Sequence, residues 1–148
     1  MDVLTKTLGT VEVAEEAKLT FAEGLFGFET VTEYALIKSE CEPFFWLQAL
    51  RDQSLAFLVV DPFLVYKDYE PDIDDKSLDS IGITSPNDIL ILSIVTIPAN
   101  GGSPTINLRG PLIINQKAHL CFQAILDSPK WSTKHSIDDG TALRREAC

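Results

Sequence analysis

Histidine and cysteine are scarce in this chain. The only histidines are His119 and His135, and the three cysteines, Cys41, Cys121 and Cys148, stand far apart. No C-x-x-C pair occurs, so the spacing suggests neither a zinc site nor a disulfide framework, and a reducing, cytoplasmic location is the simplest expectation. No apolar run reaches the roughly 18 residues that a membrane-spanning helix requires. The segment from Met1 to Gly9 has no basic stretch followed by an apolar one, so no signal peptide is expected. Nucleophilic catalysis needs a Ser, Cys or Thr beside a positioned base, and no G-x-S-x-G surround is present. Gly101-Gly102 is followed by neither a lysine nor a helix, so it reads as a loop between strands rather than a phosphate cradle. The acidic run from Asp68 to Asp75 fails as a calcium loop. Counted from Asp68 its sixth residue is Ile73, and counted from Asp72 it is Ser77, where an EF-hand needs glycine. The expectation is a protein without catalytic residues, metal or cofactor.

What is present points to a folded, strand-rich domain. The 148 residues are 45% hydrophobic, enough for one domain with its own core, and neither repeats nor a Gly/Ser linker divide residues 1–148. Short β-prone pieces recur: Val3–Leu8 and Val11–Val13 on either side of Gly9, then Thr32–Ile37, Phe44–Leu50 and Leu55–Val60. The polar gap Arg51-Asp52-Gln53-Ser54 suits a hairpin connection. Ile89–Ile97, Leu112–Ile114 and Ala118–Leu126 follow, the last holding His119 inside a strand. The central runs are apolar on both faces, as in strands between layers or in a closed barrel. One helix is expected, Asp74 to Ile81, with Asp74 or Asp75 as its cap, Leu78 and Ile81 on one face and Gly82 as its end. The fold class is therefore all-β: a small closed or partly open antiparallel β-barrel with one short helix. About residues 136–148 are polar and are expected to fray.

Charge is uneven. The net charge of −10 divides into −6 over residues 1–60, −6 over residues 61–88 and +2 over residues 89–148. An acidic surface repels phosphate, which argues against direct nucleic-acid binding. The dense stretch Asp68, Glu70, Asp72, Asp74 and Asp75 reads either as a solvated loop or as a face for a basic protein. Gly24-Leu25-Phe26-Gly27-Phe28 is a tight turn whose aromatics either pack beneath the fold or stand out toward a partner.

The stretch Pro104-Thr-Ile-Asn-Leu-Arg-Gly-Pro-Leu-Ile-Ile-Asn115 reads as a hairpin broken at Gly110-Pro111, with Pro111 marking an edge, a bulge or a strand start. Asn107 and Arg109 share a face in an extended strand. Asn115 reads as a turn residue that bonds nearby backbone. Asn107 stays open between backbone pairing and partner contact.

Several phrases occur in an order that resembles the flagellar assembly factor FliW family. Phe21-Ala-Glu-Gly-Leu-Phe-Gly-Phe-Glu29 resembles its F-x-x-G-L-x-G-F-E opening. Pro43-Phe-Phe-Trp-Leu-Gln-Ala-Leu50 is similar to its P-F-x-x-L-Q-S-L strand, and Asp68-Tyr-Glu70 to its D-Y-E segment. Thr105 to Asn115 is similar to its T-x-N-L-x-x-P-I-x-I-N block. Toward the end the chain departs, with Trp131 where the family pattern has Tyr and Lys134-His135 where it has Arg-His. The resemblance implies a non-enzymatic β-barrel with two alternative protein partners, flagellin and the RNA-binding translational repressor CsrA. It implies that release from flagellin frees the protein to antagonise CsrA, away from the RNA surface. It implies no membrane attachment and no small-molecule substrate. The acidic residues Asp68, Glu70, Asp72, Asp74 and Asp75, with Asp52, Asp61 and Asn107, are the candidate partner contacts. Two competing readings are a lipocalin-like barrel, which needs an open apolar interior, and a hydrolase with a triad assembled in space.

Overall fold

The structure, a computed structural model, describes residues 1–137; the expectation of a frayed tail falls almost wholly outside the described residues. Strands β1 (Asp2–Leu4) and β2 (Thr10–Glu12) form a separate antiparallel hairpin around Gly9. Strands β3 (Lys18–Phe21), β4 (Glu33–Lys38), β5 (Phe45–Ala49) and β6 (Ala56–Val60) then run as an antiparallel meander, with Arg51–Ser54 in the expected connection. Helix α1 (Asp75–Ser80) follows, then β7 (Ile89–Thr96), β8 (Thr105–Ile106), β9 (Leu112–Asn115), β10 (Leu120–Gln123) and β11 (His135–Ser136).

Seven of these strands close on themselves in the order β7-β6-β5-β4-β3-β10-β9 and back to β7. Closure pairs every backbone edge, which an open sheet cannot do. The ring is not wholly antiparallel as expected: β3 and β10 are parallel, Thr20 facing Leu120 and Phe21 facing Cys121. A parallel seam needs a long crossover, and here it joins the first strand of the ring to the last.

The two-faced apolar pattern has a direct cause. On β4, Tyr34 and Leu36 enter the barrel interior with Leu19, Phe21, Leu47, Val59, Leu112 and Ile114. Ala35 and Ile37 point the other way, under the β1–β2 hairpin, where Val3 and Val13 cover them. Ile113 on β9 lies under α1 with Ile81 and Ala124. The interior is filled by side chains, the observation that weighs against a ligand-enclosing barrel.

Helix α1 matches its expected cap and end. Asp74 accepts from the Ser77 amide at 2.6 Å, and Gly82 adopts φ +77 just beyond Ile81.

Three further expectations change. The segment from Pro104 to Asn115 is not a hairpin. Both of its strands lie antiparallel along the same edge of β7, β8 facing Val95 and Thr96 and β9 facing Ile89 to Leu92. From Leu92 to Val95 β7 advances three residues while the facing segment advances six, from Ile106 to Leu112, so Leu108 to Pro111 loop out. Asn107 builds this excursion: its Oδ1 accepts from the Arg109 amide at 3.1 Å and the Gly110 amide at 2.8 Å. The second change concerns His119, which sits at φ +63 in the turn before β10 rather than within a strand. The turn starts from Asn115, whose Oδ1 accepts from Lys117 and Ala118 amides while its Nδ2 donates to the Ile81 carbonyl at 2.8 Å. One buried side chain thus ties the β9–β10 turn to the end of α1. Cys41 is disulfide-bonded, against the expectation from cysteine spacing, and Cys121 is free and buried.

Asn115 is 2% exposed, and its bond to the Ile81 carbonyl is buried. Truncation leaves that carbonyl short of a partner, at about 1–3 kcal/mol, while the Lys117 and Ala118 amides belong to exposed residues that water reaches. Asn115→Ala is expected to lower the urea midpoint by a corresponding amount with the slope unchanged; a wild-type midpoint would contradict this role.

Candidate functional site

The loop after β3 is built to hold an aromatic ring in the open. Gly24 adopts φ +67, and a Cβ there would lie 2.5 Å from the Phe28 carbonyl oxygen and 2.6 Å from the Glu29 Cα, so only glycine fits. Gly27, at φ +88, faces open space. Three short turns follow one another: Gly24 N–H donates to Phe21, Phe28 N–H to Leu25, and Val31 N–H to Phe28. Leu25, 1% exposed, plugs the barrel interior. Phe26 is turned outward and is 52% exposed, and Phe28, 39% exposed, meets Phe57 edge-on at 5.2 Å. Of the two readings of this loop's aromatics the outward one holds, for Phe26 and Phe28 are both exposed, and the buried side chain of the loop is Leu25.

Gln123 on β10 fixes the loop from the side. Its Oε1 accepts from the Phe26 amide at 2.9 Å and its Nε2 donates to the Gly110 carbonyl at 3.0 Å. The Phe26 turn and the excursion after β8 are thereby joined through one side chain. The Glu29 carboxylate accepts from the Gly27 amide at 3.0 Å, and that bond holds its carboxyl below the usual carboxylate range.

Between this loop, β10 and α1 runs a groove. One part encloses about 520 Å³ against Glu23, Phe26, Glu29, Lys76, Ser77 and Cys121. The next encloses about 260 Å³ against Asp72, Ile73, Asp74 and Ile125, and both parts share Phe26, Ser77, Phe122 and Gln123. Ile125 is 62% exposed at its end. Its lining mixes apolar side chains (Phe26, Ile73, Phe122, Ile125) with the carboxylates of Glu23, Glu29, Asp72 and Asp74. Burial pushes the Cys121 thiol up to about 12, so it stays protonated and is a poor nucleophile. Among the described residues, no group of three or more His, Cys, Asp and Glu side chains could hold a metal ion. The arrangement is suited to seating apolar side chains of a partner.

The residues singled out from the sequence scatter around this groove. Asp72 and Asp74 line it. Asp74 also caps α1, and its bond to the Ser77 amide lowers its pKa. Asp75 begins α1 and is exposed, as is Glu70. Asp68 is exposed and lies 3.5 Å from the Lys130 ammonium, which also stands over the Trp131 ring. Asp52 accepts from the Ser54 amide and hydroxyl in the β5–β6 turn, and Asp61 accepts from the Phe63 amide. Asp52, Asp61 and Asn107 therefore serve the backbone, away from the groove lining. Sequence reasoning left Phe26, Gln123 and Ile125 out of the candidate site; the paired glycines of Gly24–Gly27 were the signal for the first. His135 accepts from the Ser132 amide at Nε2, with its ring against Tyr66 and Trp131, so it is placed as a packing and turn residue.

The model of the family described as FliW protein matches residues 2–137. The chain belongs to the FliW family. It is similar to the flagellar assembly factor FliW of Treponema denticola, 51% identical with 93% of each chain covered, and to that of Treponema pallidum, 43% identical over 98% of this chain and 97% of the other. A crystal structure of a flagellar assembly factor FliW superposes with a TM-score of 0.84 at 32% identity, covering 93% of this chain and 96% of that one.

The two glycines of the Phe26 loop separate conformational strain from collision. Gly27→Ala is expected to cost about 1–2 kcal/mol for an L residue held at positive φ. Gly24→Ala adds a clash with backbone and should cost clearly more. Urea unfolding of both variants decides it, and equal losses would contradict the close approach.

Proposed function

We propose that this chain is a non-enzymatic flagellar assembly factor of the cytoplasm that exchanges two protein partners. Held by flagellin, it is unavailable; released, it binds and antagonises the translational repressor CsrA, so flagellin synthesis follows flagellar assembly. The observation that carries this reading is the FliW family match across residues 2–137. The charge of −10 supports it, because an RNA-binding partner presents basic surface while RNA itself is repelled. No helix among the described residues is long and apolar enough to cross a membrane.

The acidic residues divide by what else they do. Asp68, Glu70, Asp72 and Asp75 are exposed. Asp52, Asp61 and Asp74 already accept backbone amides, so changes there disturb turns as well as charge. Exposed rim charges act mainly on association rate and its salt dependence.

Pull-downs with the chain's own flagellin and CsrA, each as competitor for the other, test the exchange. Each partner is expected to displace the other, and two complexes that ignore competition would overturn it. Reversing Asp68, Glu70, Asp72 and Asp75 to lysine is expected to slow CsrA association about tenfold at low salt and to flatten the salt dependence. Unchanged rate and salt slope would remove these residues from the contact.

A further inference from the structure

Ile73, Ile81, Phe122 and Ala124 of the groove beside Phe26 belong to the apolar cluster under α1, whereas Phe26 and Ile125 belong to no core cluster and stand exposed. Leu25, one residue away, already fills the barrel interior. Phe26 is instead held in solvent by a glycine at a position no other residue fits and by a hydrogen bond from its own amide to Gln123. An exposed ring carried on a fixed backbone leaves only its side-chain rotation to lose when a partner covers it, which suits an interface anchor. Ile125 offers a second exposed apolar side chain at the far end of the groove.

The rim states what kind of partner fits. Glu23, Glu29, Asp72 and Asp74 border the groove against a single cation, Lys76. A second copy of this chain, itself at −10, would meet this rim with like charge. A segment with two or three apolar side chains flanked by lysine or arginine meets both the apolar side chains and the carboxylates.

We propose that this groove is the docking site for such a segment of the basic partner, with Phe26 and Ile125 as its anchors and the rim carboxylates as its selectors. The inference rests on the function proposed above and assigns the anchors Phe26 and Ile125 to CsrA; flagellin relies on other side chains, and it excludes CsrA because the two bound partners overlap. Gln123 is then a positioning residue that keeps Phe26 aimed into the groove.

The test is calorimetric titration of CsrA and of flagellin, separately, into the wild type and three variants: Phe26→Ala, Ile125→Ser and, as a surface control away from the groove lining, Ile97→Ser. All three positions are exposed, so thermal unfolding should stay near wild type. Phe26→Ala and Ile125→Ser are each expected to weaken CsrA at least tenfold and leave flagellin unchanged. Phe26→Leu should restore part of the affinity, and Ile97→Ser should change neither complex. Wild-type CsrA affinity in both groove variants would overturn the site. Equal loss for both partners, or loss for flagellin alone, would overturn its assignment to CsrA. A wild-type chain that binds CsrA nowhere defeats the proposed function first, and the docking site with it.

Discussion

One strand, β7, has a single edge that two other strands must share, and the barrel depends on how they divide it. β9 takes the half from Ile89 to Leu92 and closes the ring; β8 takes Val95 and Thr96 and leaves it, carrying β11 with it. The division is possible only because Leu108 to Pro111 leave the ladder, and Asn107 satisfies the amides that this departure strands. The same excursion supplies the Gly110 carbonyl that holds Gln123, which in turn holds Phe26. A device that solves a pairing problem in the sheet also aims a side chain at the surface.

How the sequence foreshadowed this differs by residue. Periodicity placed β4 to β7 and α1 well, because apolar runs and an Asp cap are local signals. Asn115 announced itself as a turn residue for the same reason. The excursion was invisible because a Gly-Pro break between two apolar runs has the same local chemistry whether the chain reverses or merely bulges. The parallel seam at Thr20 and Phe21 was invisible for a stronger reason: pairing direction across a hundred residues leaves no local mark. The densest charge drew attention to Asp68 to Asp75, while much of the groove is apolar and came from three separate segments. Besides Asp72 and Asp74, only the Gly24–Gly27 bracket hinted at it, since glycines that close together imply unusual backbone.

Acidity has two physical roles in this molecule. Asp52, Asp61 and Asp74 spend their oxygens on amides of their own chain, which sets turns and the helix start. Asp72, Glu23 and Glu29 stand where a partner would meet them, and the Glu29 bond to Gly27 shows that even these are partly tied to the loop they border. Negative charge alone is therefore a poor guide to contact; its position beside a fixed apolar surface is the better one.

The parallel seam carries a consequence for how the chain is made. β3, at residues 18–21, is translated early, whereas its neighbour β10 starts at Leu120. Until that neighbour is available, the sheet that begins with β3 has two bare strand edges and an apolar interior with no far wall. Bare edges recruit other strands, and long-range pairings form slowly. The ring therefore cannot close before β10 is available, and the β3–β10 seam joins strands about a hundred residues apart.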